Sequence, residues 1–310
     1  MRKNVIKVIN FKSKARKKLF KIVAIITLIY FLFFTVFTIM RREEKVLWLR
    51  NCYFAHRGLF NNDDLPENSI KAFKNAIKNG FAIELDVQFT KDKKVIVFHD
   101  YTLERLTKDL RKVEDVTYEE LESLNLLNSK EKIPLLEEVL NIVNGDVPLL
   151  IEIKNCSNIL ELGASVADLL ENYNGKYAIQ SFDTCVLKWF KENKGCNVLT
   201  GQLIGKYTGI ETFRHCENLV LDLKKFFLEY KVDFLSIDSY DVDNLAIKIF
   251  RILRVPILSW TIRNNDELEN IKDLADGYIF DSFVPVNNYI EIWNGDYFIS
   301  KITPYLKRIL

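Results

Sequence analysis

Short apolar runs rich in β-branched residues alternate with amphipathic segments along most of this 310-residue chain. Eight of these runs are predicted to be strands: residues 51–55, 80–87, 147–153, 177–182, 197–203, 232–237, 255–261 and 277–280. Segments between them have the apolar spacing of helices: residues 69–79, 135–143, 159–173, 183–192, 242–254 and 266–274. This alternation is typical of parallel strands joined by crossover helices. Eight strands in about 260 residues predict an α/β fold, a (β/α)₈ TIM barrel.

A ninth apolar run, residues 94–98, does not fit the alternation. Only residues 88–93 separate it from the second strand, whereas a parallel crossover needs about a dozen residues. We therefore predict an antiparallel hairpin that turns at residues 91–93 and adds one extra strand to the barrel. If the hairpin is symmetric about residues 92 and 93, His99 lies beside Asp86.

Residues 22–40 form a run of 19 uncharged, mainly apolar residues. As a helix rising roughly 1.5 Å per residue, this run would span about 28 Å, the thickness of a bilayer core. A cleaved secretory signal is the alternative, but its apolar stretch usually has about 7 to 15 residues and ends in small ones. Residues 1–21 hold nine Lys or Arg and no acid, which predicts a cytoplasmic N-terminus. We expect a single-pass anchor in the cell membrane, with residues 46–310 as an extracellular barrel domain.

The charge balance of the remaining chain argues against nucleic-acid binding. The chain after residue 21 contains 35 of the 44 basic residues and all 42 acidic residues, so this part is mildly acidic. A nucleic-acid-binding surface usually makes its domain basic. The five cysteines lack the spacing of a metal site and are expected to be structural thiols, although one pair could be oxidised in an exported domain.

Charged residues occur on two predicted strands that have no exposed face in a parallel barrel. Glu84 and Asp86 are two positions apart and therefore share a face, as do Glu152 and Lys154. Buried carboxylates need a compensating cation, and these lie at the carboxyl ends of strands, where barrels build their active sites. Three carboxylates without a nearby cysteine suit Ca²⁺ or Mg²⁺ better than zinc. The alternative is a salt-bridge network in which Lys154 and Arg57 neutralise the acids.

Two of the three histidines, His56 and His99, stand at the ends of predicted strands, where they could be structural or functional. Arg57 follows His56 directly, and its planar guanidinium suits a phosphate. Glu67 lies at the predicted start of a helix and is expected to support the site. His215 lies in a helical stretch and is expected on a helix surface.

The order of the motifs along the chain resembles the glycerophosphodiester phosphodiesterase family, within the wider group of phospholipase-C-like barrel phosphodiesterases. The matching segments are AHRG at 55–58, PENS at 66–69, ELDVQFTKD at 84–92, VFHD at 97–100, IPLLEEVL at 133–140, IEIK at 151–154, QSFD at 180–183 and SWTIRN at 259–264. The resemblance as a whole covers roughly residues 50–285. Such an ordered series is far more specific than any one motif.

The resemblance implies a divalent cation on Glu84, Asp86 and Glu152, and an acid-base pair formed by His56 and His99. It implies that a glycerophosphodiester is hydrolysed to glycerol 3-phosphate and an alcohol.

In the hydrolysis that the resemblance implies, Arg57 and Lys154 would add positive charge at the phosphate. Trp260 would form an apolar wall for the glycerol or the alcohol, or belong to the ordinary core.

The chain departs from the family in two places. Phe280 and Asp281 stand where the family usually has a Thr-Asp pair, and residues 287–310 match no family pattern. That C-terminal segment is expected to form the last barrel helix or to lie on the membrane surface. Two other functions stay open: a phospholipase C or D type enzyme acting on lysophospholipid or intact lipid, and a catalytically silent barrel that binds phosphodiesters or an envelope polymer.

Overall fold

The computed structural model describes residues 45–195, 198–205 and 229–285. The chain divides into a unit of residues 1–47, of which residues 45–47 are described, and a unit of residues 48–310. The predicted membrane span at 22–40, the stretch around His215 and the C-terminal segment 287–310 lie outside the described residues. Within the described ranges, every helix is too short or too polar to cross a bilayer.

The described residues contain nine strands, which make up a single sheet. They are β1 (Tyr53–Ala55), β2 (Ala82–Phe89), β3 (Val95–Val97), β4 (Leu149–Ile153), β5 (Tyr177–Ser181), β6 (Leu199–Ile204), β7 (Phe234–Asp238), β8 (Ile257–Ile262) and β9 (Gly277–Phe280). The order is β1-β9-β8-β7-β6-β5-β4-β2-β3, and β1 also pairs with β2. Leaving out β3, all pairings are parallel and the sheet closes on itself. The predicted eight-stranded barrel is therefore confirmed.

The extra strand β3 is antiparallel to β2, as predicted from the short link. Val87 pairs with Val97, and the amide of Phe98 donates to the carbonyl of Asp86 at 2.9 Å. The register centres the hairpin on Asp92 instead of between residues 92 and 93, and it carries His99 back along β2 to lie near Asp86.

Six of the helices coincide with the predicted segments, with ends that differ by at most four residues. They are α1 (Ile70–Lys78), α4 (Leu136–Val143), α5 (Ile159–Leu169), α6 (Thr184–Asn193), α7 (Leu245–Ile252) and α8 (Asn265–Ile271). Ser69 caps α1 by accepting from the amide of Ala72 at 3.2 Å. This cap begins the helix directly after the PENS segment.

The segment between β3 and α4 forms a small layer that the sequence pattern did not predict. It contains α2 (Glu104–Thr107), a 3₁₀ turn (Val113–Asp115) and α3 (Tyr118–Glu122). Its apolar side chains pack around Ile96 and Phe98 in a cluster of their own, separate from the main core. We call residues 100–134 the β3–α4 layer.

The strands separate apolar from polar residues as a barrel requires. Ile83, Leu85 and Val87 of β2 belong to the main apolar core, whereas Glu84 and Asp86 belong to the alternate positions. The register pairs Asp86 with Glu152 and Glu152 with Gln180, so neighbouring strands place polar side chains at one level. The barrel is therefore built to hold charge at that level.

Candidate active site

The turn after β1 carries His56 and Arg57, which both line the cavity of the candidate site. Arg57 has a φ of +56° and Gly58 a φ of +82°. A Cβ on Gly58 would lie 3.0 Å from backbone and side-chain atoms of Ala72, so helix α1 packs directly against this turn. The combination of positive φ and close packing requires glycine at position 58.

The three predicted metal ligands come together. Each of Glu84, Asp86 and Glu152 offers a carboxylate oxygen, and these oxygens all lie within 4.8 Å of one another. All three residues are at most 7% exposed. Lys154 Nζ lies 2.9 Å from Glu152 Oε1 and 3.6 Å from Asp86 Oδ1. The convergence predicted from strand alternation is thus present.

This cluster fits a hard divalent cation. Burial raises the pKa of Glu84 well above its usual value, and the negative charges of Asp86 and Glu152 raise it further. Asp86 Oδ1 has no hydrogen-bond partner among the described residues, and Lys154 Nζ lies 3.6 Å from it. Excess negative charge and an unsatisfied buried oxygen are what a bound Ca²⁺ or Mg²⁺ would compensate.

Two side-chain amides orient the carboxylates. Asn68 Nδ2 donates to Asp86 Oδ2 at 2.9 Å, and Gln180 Nε2 donates to Glu84 Oε1 at 3.3 Å. The backbone amide of Arg57 donates to Glu84 Oε2 at 3.1 Å. Both oxygens of Glu84 and one oxygen of Asp86 therefore accept a hydrogen bond, which fixes the direction of these two carboxylates.

His56 forms a hydrogen-bonded pair with Asp281. Its Nδ1 lies 2.8 Å from Asp281 Oδ2, and both side chains are largely buried. Burial and the charge of Arg57 lower the pKa of His56, while the hydrogen bond and charge of Asp281 oppose that shift. Asp281 occupies Nδ1 of His56, so Nε2 is the nitrogen of the His56 ring that is available for proton transfer.

His99 is held in the same manner by the residue that follows it. Its Nδ1 lies 2.7 Å from Asp100 Oδ1. Arg105, from α2, donates to both oxygens of Asp100 at 2.6 and 3.0 Å. Burial would raise the pKa of Asp100, but the hydrogen bonds from His99 and Arg105 outweigh it, and the pKa is lowered. The β3–α4 layer thus orients the second imidazole.

Glu67 connects the two sides of the site. It accepts from Arg57 Nη1 at 2.6 Å and from both terminal nitrogens of Arg105 at 2.8 Å. Burial would raise the pKa of Glu67, but the hydrogen bonds and charges of the two arginines lower it to about 2. Through this bond Glu67 holds Arg57 in the site, with Arg57 Nε 3.6 Å from Asp86 Oδ2. Glu67 thus lies where a supporting residue is expected.

The charged residues line a cavity of about 180 Å³, which we call the catalytic cavity. It is lined by His56, Arg57, Glu84, His99, Glu152 and Lys154, together with Gln180, Phe182, Trp260 and Arg263 among others. Trp260 forms an edge-to-face contact with Phe182 at 5.9 Å between ring centroids. The indole therefore forms part of an apolar wall opposite the charged cluster.

Several of these contacts cannot be assigned from the sequence. Asp281 stands out in the sequence only as part of a departure from the family pattern, yet the parallel pairing of Ala55 with Phe280 brings it beside His56. Asn68 belongs to the PENS motif and Gln180 to the QSFD motif, so these two motifs are the signal that the sequence offers for them. Arg105 gives no signal, since it lies in the short helix α2 of a layer whose apolar residues follow neither helical nor strand spacing.

Comparison with known proteins agrees with this geometry. The sequence pattern of the Glycerophosphoryl diester phosphodiesterase family matches residues 56–282. A glycerophosphodiester phosphodiesterase of Caldanaerobacter subterraneus is 35% identical over 156 residues, which cover 46% of this chain and 63% of that protein. The chain thus spans less than two thirds of this relative's length.

Solved structures share the fold. A glycerophosphodiester phosphodiesterase of Thermotoga maritima superposes with a TM-score of 0.60 and 29% identity, covering 75% of this chain and 95% of its own. A phosphodiesterase of Oleispira antarctica, solved in complex with the product sn-glycerol-3-phosphate, has a TM-score of 0.64 at 19% identity, covering 75% and 93%. The family match extends over well over half of the sequence, and the chain belongs to the glycerophosphoryl diester phosphodiesterase family.

Proposed function

We propose that this chain is a phosphoric diester hydrolase that cleaves glycerophosphodiesters to glycerol 3-phosphate and an alcohol with the help of a divalent cation. The observation that carries the proposal is the buried carboxylate trio, flanked by two His–Asp pairs in one cavity. Family membership supports the substrate class.

Glu84, Asp86 and Glu152 would hold Ca²⁺ or Mg²⁺. When bound, such a cation acts as a Lewis acid that polarises a phosphate oxygen and offsets negative charge in the transition state. Asn68 and Gln180 keep the carboxylates oriented for this role.

Arg57 and Lys154 bind the phosphate. Lys154 is buried, its Nζ lies 2.9 Å from Glu152 Oε1, and it lines the catalytic cavity. Burial alone would lower the pKa of Lys154, but the charges of Glu152 and Asp86 raise it, so the amine stays protonated. Both cations are already held in place, so little reorganisation is needed when negative charge develops.

His56 and His99 transfer the protons. One imidazole, neutral at Nε2, accepts the proton of the attacking hydroxyl group, which belongs to the glycerol or to water. The other, protonated at Nε2, donates to the alcohol oxygen as its bond to phosphorus breaks. Attack by water gives glycerol 3-phosphate directly, whereas attack by the glycerol hydroxyl gives a cyclic phosphate that water then opens to glycerol 3-phosphate. Asp281 and Asp100 hold the opposite ring nitrogens and thereby set the orientation of both rings.

We test the assignment with His56→Ala and His99→Ala in the full-length chain. Each change is expected to lower kcat for glycerophosphocholine hydrolysis by roughly 10²- to 10⁴-fold, the usual contribution of a general acid or base. Circular dichroism checks that both variants fold. Wild-type turnover by either folded variant would contradict the proposal. Parallel assays with lysophosphatidylcholine and phosphatidylinositol separate glycerophosphodiesters from lipid substrates.

We also propose that residues 22–40 anchor the protein in the cell membrane with the barrel outside, as the basic residues before this run indicate. Cys185 is exposed on the barrel and provides a test. A membrane-impermeant maleimide is expected to label the wild type in intact cells and to label Cys185→Ser less. Labelling of Cys185 only after lysis would contradict the orientation.

A further inference from the structure

A second, larger cavity of about 450 Å³ opens next to the catalytic cavity, and Lys154 lines both. Its walls are the β2–β3 turn, part of the β3–α4 layer and the loop at residues 154–158 that follows β4. The β2–β3 turn and the loop after β4 follow the carboxyl ends of parallel barrel strands, where the candidate active site lies. We call this space the outer cavity.

The outer cavity is rich in positive charge. Besides Lys154, it is lined by Lys91, Lys93 and Lys112, while Glu114 is the one acid among the described lining residues. Lys93 pairs with Glu161 at 3.0 Å and Lys112 with Glu114 at 3.6 Å, all four side chains being at least 43% exposed. Such exposed pairs are weak and readily exchange partners. Lys91 has no ion-pair partner in the part of the chain that the structure describes.

The sizes of the two cavities suggest how a diester would be divided between them. Pockets for small ligands usually measure roughly 300 to 1,000 Å³. The catalytic cavity, at about 180 Å³, is smaller than this, whereas the outer cavity falls within the range. A phosphate at Lys154 would have glycerol on the catalytic side and its second ester arm in the outer cavity.

We propose that the outer cavity binds the leaving alcohol and favours an alcohol that carries a second phosphate. This inference rests on the proposed diesterase function. Polar side chains of Thr102 and Asn158 supply hydrogen-bonding groups along the walls, and Tyr101 offers an exposed ring at the rim. The lysines from the β2–β3 turn and the β3–α4 layer would pair with the distal phosphate.

The experiment compares two diesters that differ by one phosphate: glycerophosphoglycerol and the same compound phosphorylated on its distal glycerol. We measure kcat/KM for both with the full-length wild type, Lys91→Gln, Lys112→Gln and the double variant. Lys78→Gln is the matched control, because Lys78 is an exposed lysine in the last turn of α1, outside both cavities.

The wild type is expected to prefer the phosphorylated diester. Each cavity substitution is expected to lower the ratio of the two kcat/KM values by about 2- to 5-fold, the usual effect of one partly exposed ion pair. The control should keep the wild-type ratio, and the preference should fall as salt increases. Equal kcat/KM values in the wild type, or an unchanged ratio in the double variant, would overturn the proposal.

A binding measurement separates this inference from the proposed function. Calorimetry on a His99→Ala background gives dissociation constants for both diesters without turnover. A phosphate-dependent affinity that the lysine substitutions reduce supports the outer cavity even if no diester is hydrolysed, and equal affinities overturn it. A glycerol phosphate oligomer serves as a third ligand and identifies the source of the second phosphate. If the oligomer binds more tightly than the two-phosphate diester, the second phosphate belongs to a polymer; if the two bind equally, it belongs to a small soluble compound. Both results support the cavity.

Discussion

Replacing Asp281 with asparagine removes the negative charge beside His56 and keeps the size of the side chain. Asp281 Oδ2 lies 2.8 Å from His56 Nδ1, and the two side chains are only 11% and 15% exposed. Water therefore screens the interaction poorly. The same contact holds the imidazole orientation and opposes the lowering of the pKa of His56 by burial.

The expected loss follows from the strength of this contact. A hydrogen bond to a charged partner contributes about 1.5 to 3 kcal/mol. Since each factor of ten in rate corresponds to about 1.4 kcal/mol, kcat/KM should fall about 10- to 150-fold. Without the aspartate, the pKa of His56 falls further. The limb of the pH–rate profile that reports His56 should therefore move to lower pH.

The assay is the pH dependence of kcat/KM for glycerophosphocholine, with Asp273→Asn as the control, because Asp273 is exposed and lines neither cavity. A shift of the acidic limb identifies His56 as the base, and a shift of the basic limb identifies it as the acid. If Asp281→Asn moves neither limb and keeps kcat/KM within about twofold of the wild type, the reasoning about the His56–Asp281 pair is wrong.

Two further predictions concern stability. The pKa of Glu67 falls from 4.5 to about 2 on folding, so Glu67→Gln should cost about 3 kcal/mol in unfolding free energy at pH 7. In urea titrations at several pH values, this difference should vanish as the pH falls from 4.5 towards 2, and a difference that persists there would contradict it. Gly58→Ala combines a positive φ with a close contact to Ala72 and should cost about 2 to 4 kcal/mol. Gly195→Ala has a positive φ in open space and should cost less; equal losses would refute the packing argument.

The barrel and its charged level could be predicted because both follow from local patterns. Strand alternation placed Glu84 and Asp86 on one face, and the short link before residue 94 required a hairpin that carries His99 back to the site. These inferences need only the geometry of a strand and the length of a connection.

Contacts that depend on closure of the sheet could not be predicted in the same manner. Asp281 reaches His56 because β9 pairs with β1, which are more than 220 residues apart in the chain. Arg105 belongs to the β3–α4 layer, whose apolar residues follow neither helical nor strand spacing. Its contact with Glu67, which lies before β2 in the chain, arises from tertiary packing.

Dependence of diester hydrolysis on a divalent cation is the most direct test of the account. The full-length chain is treated with EDTA, and the initial rate of glycerophosphocholine hydrolysis is followed while Ca²⁺ or Mg²⁺ is added back. We predict no turnover in chelator, recovery on addition of one of these ions, and a higher ion requirement for Glu152→Gln than for the wild type. Full activity in chelator, with the same rate in Glu152→Gln, would mean that the three carboxylates serve as a salt-bridge network.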